Sequence, residues 1–302
     1  MSQTLTSPMP AARAPLSGAI FMILAGVAFA GVNTLEQVAT TRLGMPAPTA
    51  AFLQYLVALL AVLPWALRRG LPSLATRRPW LQAARVLLAA LGVQAWVAGL
   101  AHGVPIGQAV ALVMTSPFVV TIGAGLFLGE RVSAERWLAV TVGFAGGLVI
   151  LDPFSESFSA ASLYPLAAAM LWAGVSLIQK RLLAEDRPEA VAAWLLLMLA
   201  PVNFVLALPS GIVLPDMHGW LVIVAVGVLT ALAQGFLTLA YARADAAYVQ
   251  PFDHVKLPLN VLAGWFVFGW LPPSGLWLGA ALIVGASMFL LWRESRTQEG
   301  SA

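Results

Sequence analysis

Three ionisable residues lie close together in a stretch that is otherwise apolar: Asp253, His254 and Lys256. They belong to residues 246–268, the ninth of ten apolar stretches along the chain. If this stretch crosses a bilayer as a helix, Lys256 lies about 15 Å deep at a rise of ~1.5 Å per residue. An unpaired charge at the centre of a membrane helix costs about 2.5–3.5 kcal/mol. Such groups persist when they are paired or face water, which makes this segment the first candidate for a functional site.

Two roles remain open for these charges. Asp253 and Lys256 are one helical turn apart and could neutralise each other while holding helices together. Alternatively, the helix lines a translocation cavity, where Asp253 or Lys256 meets the charged end of a substrate. His254 titrates near neutral pH, so it is a candidate for coupling transport to protons.

Prolines accompany this segment and its counterpart earlier in the chain. Pro251 and Pro258 remove backbone donors and tend to kink a helix, and freed carbonyls at membrane depth need protein or water as partners. In the fourth apolar stretch, Pro117 follows Ser116, which precedes Lys256 by 140 residues. We therefore predict hinges at the three prolines, with packing kinks as the alternative.

Neutral polar and aromatic residues at mid-span could complete a substrate site. The polar groups could bind an ammonium and a carboxylate, and the aromatic rings could surround an apolar side chain or a cation. The alternative is that the polar residues only join helices, which stabilises a bundle by about 0.6–2 kcal/mol per contact. Besides the ionisable trio, the predicted substrate-binding residues are Asn33, Gln94, Trp96, Ser116, Trp172, Ser176, Gln234 and Phe252.

The elements that would position these residues are membrane helices. Hydrophobic residues make up 60% of the chain and charged residues only 10%, whereas about a quarter of a soluble domain is charged. Most apolar stretches are about 18–23 residues long, enough to cross ~30 Å of hydrocarbon. The predicted spans are 16–35, 49–67, 80–100, 106–128, 137–151, 162–179, 191–208, 219–241, 246–268 and 274–292.

The distribution of positive charge predicts the orientation. With both termini on one side, that side collects 14 of the 16 Lys and Arg residues, including Arg85, while the opposite side keeps Arg42. Loop cations are retained in the cytoplasm, so both termini are predicted to be cytoplasmic. The net charge of +3 is spread over many loops beside the membrane, so we predict no nucleic-acid partner.

Several chemistries are excluded or unsupported by the sequence. The chain has no cysteine and three scattered histidines, so thiol chemistry is excluded and a metal cluster is not predicted. We find no phosphate-cradling loop, no zinc-protease motif and no paired catalytic carboxylates, and we predict no cofactor, no metal and no enzymatic activity. Without an ATP-binding motif, the driving force for transport would be a gradient.

The two halves of the chain correspond at an offset of 140 residues. Gly129 matches Gly269 and Trp137 matches Trp277, and the spans and connections agree along the whole length. Because each half contains five spans, an odd number, the second half enters the membrane from the opposite side. Inverted repeats of this kind build two similar gates around a site at the membrane midplane in many secondary transporters.

Specific motifs also resemble a known family. Thr-Ser-Pro-Phe at 115–118, Gly-Leu-Phe-Leu-Gly-Glu-Arg at 125–131 and a Gly-rich span ending in Leu-Asp-Pro at 151–153 resemble the first repeat of the EamA-type drug/metabolite transporter superfamily. Among its members the chain is most similar to YddG-type exporters of aromatic and apolar amino acids. The resemblance implies ten helices in two inverted repeats of five and export of small metabolites.

Together these features predict an all-α integral membrane protein of the bacterial inner membrane. We expect a cytoplasmic tail at 1–15, five-helix repeats at 16–152 and 153–293, and a second cytoplasmic tail at 294–302. The predicted function is alternating-access export of amino acids, with drugs, purines or other metabolites as alternative cargo and a membrane enzyme or receptor as a weaker one. Spans one, three, four, six, eight and nine would line the cavity. Gly-x-x-x-Gly motifs in the fifth span of each half predict close helix packing and could also provide a homodimer face.

Overall fold

The computed structural model describes residues 15–69, 76–127, 129, 132–155, 158–182, 185–186, 188–243 and 252–299. Throughout these residues the regular structure is helical, and no strand occurs among them. The helices are α1 (Pro15–Gln37), α2 (Ala47–Arg69), α3 (Pro79–Ala101), α4 (Ile106–Val113), α5 (Ser116–Phe127), α6 (Ala134–Leu151), α7 (Leu163–Leu182), α8 (Pro188–Ala207), α9 (Met217–Arg243), α10 (Lys256–Phe268) and α11 (Ser274–Glu299).

Seven helical segments in the described part of the chain are long and apolar enough to cross a membrane. One of them runs from 106 to 127 and combines α4 with α5, and another extends α1 through a π-helical turn, Val38–Arg42. Three further apolar helices are shorter, at Leu197–Ser210, Lys256–Phe268 and Ser274–Leu290. The prediction of an all-helical membrane protein is confirmed at this level.

Corresponding helices of the two halves begin at matching positions. Ser116 begins α5 and Lys256 begins α10, 140 residues later, while α6 and α11 begin at Ala134 and Ser274 with the same separation. Gly129 and Gly269 both follow these helices with positive φ angles of 68° and 74°. A side chain at either glycine would be strained in this left-handed conformation, which glycine adopts readily.

Packing brings helices of the two halves into contact. In the first half, α1 packs on α9, α3 on α7, and α4 on α10. The last helix of each half also pairs, α6 with α11. The main core cluster draws on several of these helices, including Val97, Phe118, Leu257 and Ile283.

The glycine motifs in the fifth span of each half pack inside the chain. An ideal Cβ on Gly279 would lie 2.5 Å from the Gly146 carbonyl oxygen, and one on Gly143 would lie 2.1 Å from the Phe118 ring. The motifs therefore permit close approach of α6 to α11 and α5, as predicted. Because these contacts are intramolecular, the glycines no longer argue for a homodimer face.

Arg85 departs from its predicted surroundings. Counted with the loop cations of the cytoplasmic side, it instead lies inside α3 with 1% of its surface exposed. Its guanidinium donates to the Val191 carbonyl oxygen and, at 3.3 Å, to the Gln179 side chain. It is therefore a buried residue that joins α3 to α7 and α8, and the loop assignment was wrong because Arg85 lies only two turns into its span.

Candidate functional site

A polar cleft opens where the fourth and ninth spans are interrupted. It has a volume of about 360 Å³, within the range of ~300–1,000 Å³ typical of small-molecule sites. Its walls come from both halves: α4 and α5 of the first half, and α7 and the segment leading into α10 of the second. The lining residues are Val113, Met114, Ser116, Pro117, Val120, Trp172, Ser176, Asp253, His254 and Lys256.

The cleft therefore collects many of the predicted site residues. Ser116, Trp172, Ser176 and the Asp253–His254–Lys256 trio all line it, and so does the predicted hinge residue Pro117. Of the predicted cavity helices, the described part of the cleft contains spans four, six and nine. No lining residue there comes from spans one, three or eight.

The charges in the cleft form an ion pair. Lys256 Nζ lies 2.5 Å from Asp253 Oδ2, and both side chains remain partly exposed, at 27% and 20%. The two alternatives drawn from the sequence thus occur together, because the pair is formed and also faces the cleft. Both ring nitrogens of the neighbouring His254 are buried and have no hydrogen-bond partner among the described residues.

The spans that carry the cleft are broken rather than merely kinked. Turns at 114–115 and 254–255 precede α5 and α10. Pro117 and Pro258 lie in the first turn of these helices, where a missing N–H would have no intrahelical partner in any case. Pro251 lies outside the described residues. Hinge motion at the prolines stays a prediction.

One wall of the cleft is aromatic and is fixed from behind. Trp172 of α7 packs on Trp96 of α3, with ring centroids 6.2 Å apart and planes tilted by 39°. Gly92, one turn before Trp96, makes room for it, because an ideal Cβ there would lie 2.4 Å from Trp172 Nε1. Trp96 itself is buried behind Trp172 and does not line the described cleft.

Trp96 is in turn held by a residue that the sequence analysis did not single out, Glu36 of α1. Trp96 Nε1 donates to Glu36 Oε2 at 3.2 Å. The carboxyl is 1% exposed, and its Oε1 has no hydrogen-bond partner in the structure. Because the first apolar stretch was ended at Leu35, Glu36 was counted as part of a loop. Its burial follows from the continuation of the helix through Arg42.

The remaining predicted site residues lie away from the cleft. Asn33 donates to Asn260 Oδ1 at 3.0 Å, and Asn260 donates to the Lys256 carbonyl oxygen at 2.6 Å. Gln94 donates to Asn203 Oδ1 at 2.9 Å. These amides join helices, which was the alternative role given for them.

Two further predicted residues also lie outside the described cleft lining. Phe252 packs against Met22 and Ala240, between α1 and α9. Gln234 lies within α9, half-buried, and its backbone carbonyl accepts from Thr238.

On the predicted cytoplasmic side, the loop before α3 is fastened to the loop before α8. Arg78 pairs with Glu185 at 2.5 Å, and this carboxylate raises the pKa of Arg78. Burial alone would raise the pKa of Asp186, but hydrogen bonds from the Thr76 hydroxyl, the Arg77 N–H and Gln82 outweigh it and lower the pKa. These contacts join the two halves at the ends of α2 and α7.

Comparison with known proteins identifies the family. The profile of the EamA-like transporter family matches twice, over residues 16–152 and 159–292. The chain belongs to the EamA-like transporter family. This EamA-like chain is accordingly a membrane transporter and not an enzyme, and the matches cover both halves in which the sequence analysis found a repeat.

Two relatives are similar over nearly the full length. The riboflavin transporter of Rhizobium johnstonii is 53% identical over 285 residues, covering 94% of this EamA-like chain and 94% of that protein. The riboflavin transporter of Vibrio cholerae is 47% identical over 283 residues, covering 93% and 95%. A solved crystal structure, 20% identical, aligns with a TM-score of 0.63 over 94% of this chain and 99% of that one, which shows a shared fold.

Proposed function

We propose that this EamA-like protein transports riboflavin across the bacterial inner membrane. The observation that carries the proposal is the 53% identity to a riboflavin transporter over 94% of the chain. Aromatic or apolar amino acids, the cargo predicted from the sequence, become the second candidate.

The chemistry of the cleft supports a flavin. Riboflavin has a flat three-ring system and a chain of hydroxyl groups, and it is uncharged at neutral pH. The ring could stack on Trp172, which offers a fixed aromatic face. The hydroxyls could bond to Ser116, Ser176 and the Asp253–Lys256 pair. Because that pair is neutral overall, the cleft favours an uncharged cargo over a phosphorylated flavin.

The same ion pair favours the second candidate as well. A zwitterionic amino acid carries both an ammonium and a carboxylate, and Asp253 and Lys256 offer one partner for each. An amino acid would have to separate these two residues, which lie 2.5 Å apart, before binding to both. Riboflavin can bond to the pair without separating it, so we place riboflavin first.

For the transport cycle, we propose ten spans arranged as two inverted repeats with both termini in the cytoplasm. The equal starts of α5 and α10 support the repeat, and the Lys and Arg distribution supports the orientation. In this orientation the lining residues lie on the cytoplasmic side of the helix breaks, so the cleft faces inward. On the outer side, Arg42 donates to the Val267 carbonyl oxygen and stacks over Phe268.

Counterflow into proteoliposomes tests the proposal. Vesicles that contain the purified protein and unlabelled riboflavin should take up labelled riboflavin saturably, and protein-free vesicles should not. Excess riboflavin should compete, whereas flavin mononucleotide and phenylalanine should compete weakly. Riboflavin uptake equal to that of protein-free vesicles would contradict the proposal, and phenylalanine counterflow in its place would support the second candidate.

A tryptophan pair provides the matched control for the site. Trp172→Ala should weaken riboflavin binding by about two- to tenfold, the range expected for loss of an aromatic contact. Trp137→Ala removes a half-exposed tryptophan of α6 that does not line the cleft, and it should leave the affinity unchanged.

A further inference from the structure

Glu36 combines three features that its packing role alone does not explain. It is an acidic side chain inside the α1 span, it is almost fully buried, and one carboxyl oxygen has no hydrogen-bond partner. A carboxylate in an apolar interior is costly unless it is paired and hydrogen-bonded, whereas the neutral acid is tolerated much better. A group in this position gains most from binding a proton while it is sealed from water.

No cation compensates the carboxyl within the described residues. The contact made by its side chain is the bond from Trp96 of α3, and the titratable group that faces it from α2 is Tyr55. From α4, α9 and α10, the other helices packed on α1, no charged group interacts with it. Lys256 is occupied by Asp253, and Arg243 lies over Phe21, fifteen residues earlier in α1.

The carboxyl is also connected to the cleft. Glu36 holds Trp96, and Trp96 supports Trp172, whose indole forms the cleft wall. An ionised carboxylate accepts a stronger hydrogen bond from the Trp96 N–H than a neutral acid does. Binding and release of a proton at Glu36 would therefore change how firmly Trp96, and with it Trp172, is held.

Its position along α1 gives the proton a route to water. Glu36 is six residues from Arg42 at the outer end of the helical segment, a distance of about 9 Å along the axis. Arg42 and Phe268 cover that end in the inward-facing arrangement. When the outer face opens, water can reach the carboxyl and solvate its anion.

We propose that Glu36 is a proton-binding site that couples cargo movement to a proton gradient. In the sealed state the carboxylate binds one proton and becomes a neutral acid. In the state open to the other aqueous phase it releases that proton to water, so one proton crosses per cycle and no covalent bond to cargo is formed. The coupling, but not the proton binding itself, depends on the proposed transport function.

Transport with and without a gradient separates coupling from a structural role. For one proton per cargo molecule, a gradient of one pH unit supports accumulation of about tenfold. Wild-type protein in proteoliposomes should accumulate riboflavin under a gradient of one polarity. Glu36→Gln, which keeps an acceptor for Trp96, should retain riboflavin counterflow and lose this accumulation. Asp152→Asn, which alters an exposed carboxyl at the end of α6, should retain both.

Infrared titration of the purified protein tests proton binding without any cargo. Wild-type protein and Asp152→Asn should show a neutral carboxyl band that Glu36→Gln lacks. If riboflavin is not transported at all, the proposed function fails, and this band still decides whether Glu36 binds a proton.

Four results would overturn the inference. One is a carboxyl band that is unchanged in Glu36→Gln. A second is a variant that loses counterflow together with accumulation, which would indicate a structural role. A third is a variant that keeps both. The fourth is loss of accumulation in His254→Gln but not in Glu36→Gln, which would assign proton coupling to the histidine.

Discussion

At the scale of single residues, Trp172 depends on the space left by Gly92. Because an ideal Cβ at Gly92 would lie 2.4 Å from the indole nitrogen, Gly92→Ala should displace Trp172 from the cleft wall. We expect the half-saturating riboflavin concentration to rise by about two- to tenfold, the effect of a lost aromatic contact. Gly235→Ala in α9, where a Cβ meets nothing within 4 Å, is the control. Equal affinities in the two variants would contradict the role of Gly92.

A second residue-scale prediction concerns the charge of the cleft. Asp253→Asn leaves Lys256 without its carboxylate partner, so the cleft gains a net positive charge. Flavin mononucleotide should then compete about fivefold better against riboflavin, given a charge interaction of ~1 kcal/mol in a wet site. The double variant Asp253→Asn with Lys256→Gln restores neutrality and should restore the original preference. A single variant with unchanged competition would show that the pair does not face the cargo.

Sequence alone identified the ionisable trio and its partners Ser116, Trp172 and Ser176 in the cleft, because charge and polarity are conspicuous inside apolar stretches. It could not separate cleft residues from helix-joining amides such as Asn33 and Gln94. That distinction depends on which side of a helix meets a polar partner. Glu36 was missed for another reason: hydropathy ends a span at a charge, whereas the helix continues.

At the scale of helices, the contact of α6 with α11 should depend on Gly279. A Cβ there would lie 2.5 Å from the Gly146 carbonyl oxygen and 2.4 Å from an Ile150 side-chain carbon. Gly279→Ala should destabilise the protein by about 1–3 kcal/mol, the cost of overpacking. Thermal unfolding in detergent measures this, with Gly285→Ala on the same helix as the control, because that site is open. Equal melting temperatures would contradict the packing.

The loop contacts at the ends of α2 and α7 should make stability depend on pH. The pKa of Asp186 lies below its ordinary value of 3.8 in the folded protein. Its contribution to stability is therefore present above that value and is lost as the pH falls through the lowered pKa. Between about pH 5 and pH 3, the melting temperature of the wild type should fall more steeply than that of Asp186→Asn. Parallel curves would contradict the role of this carboxylate.

Sequence patterns predicted most helices within a few residues, since apolar length is a direct consequence of membrane thickness. They did not predict that spans four and nine are each broken into separate segments. Proline indicates a perturbed helix, but the turns at 114–115 and 254–255 arise where neighbouring helices can satisfy the freed backbone groups. Such partners become visible only in the packed bundle.

At the scale of the whole molecule, the account depends on one cleft between two related halves. Their matching helix starts place Ser116 and Lys256 on opposite sides of that cleft, each at the first residue of its helix. Alternating access follows if the halves expose the cleft to one aqueous phase and then to the other.

Accessibility of Ser116 tests this claim most directly, and the chain has no cysteine to interfere. Ser116→Cys in proteoliposomes should react with a membrane-impermeant thiol reagent applied from either side, and riboflavin should slow both reactions. Ser274→Cys, at the exposed start of α11, should react from one side and without protection. If Ser116→Cys transports riboflavin yet is labelled from one side only, or is labelled equally fast with cargo present, the alternating cleft is contradicted.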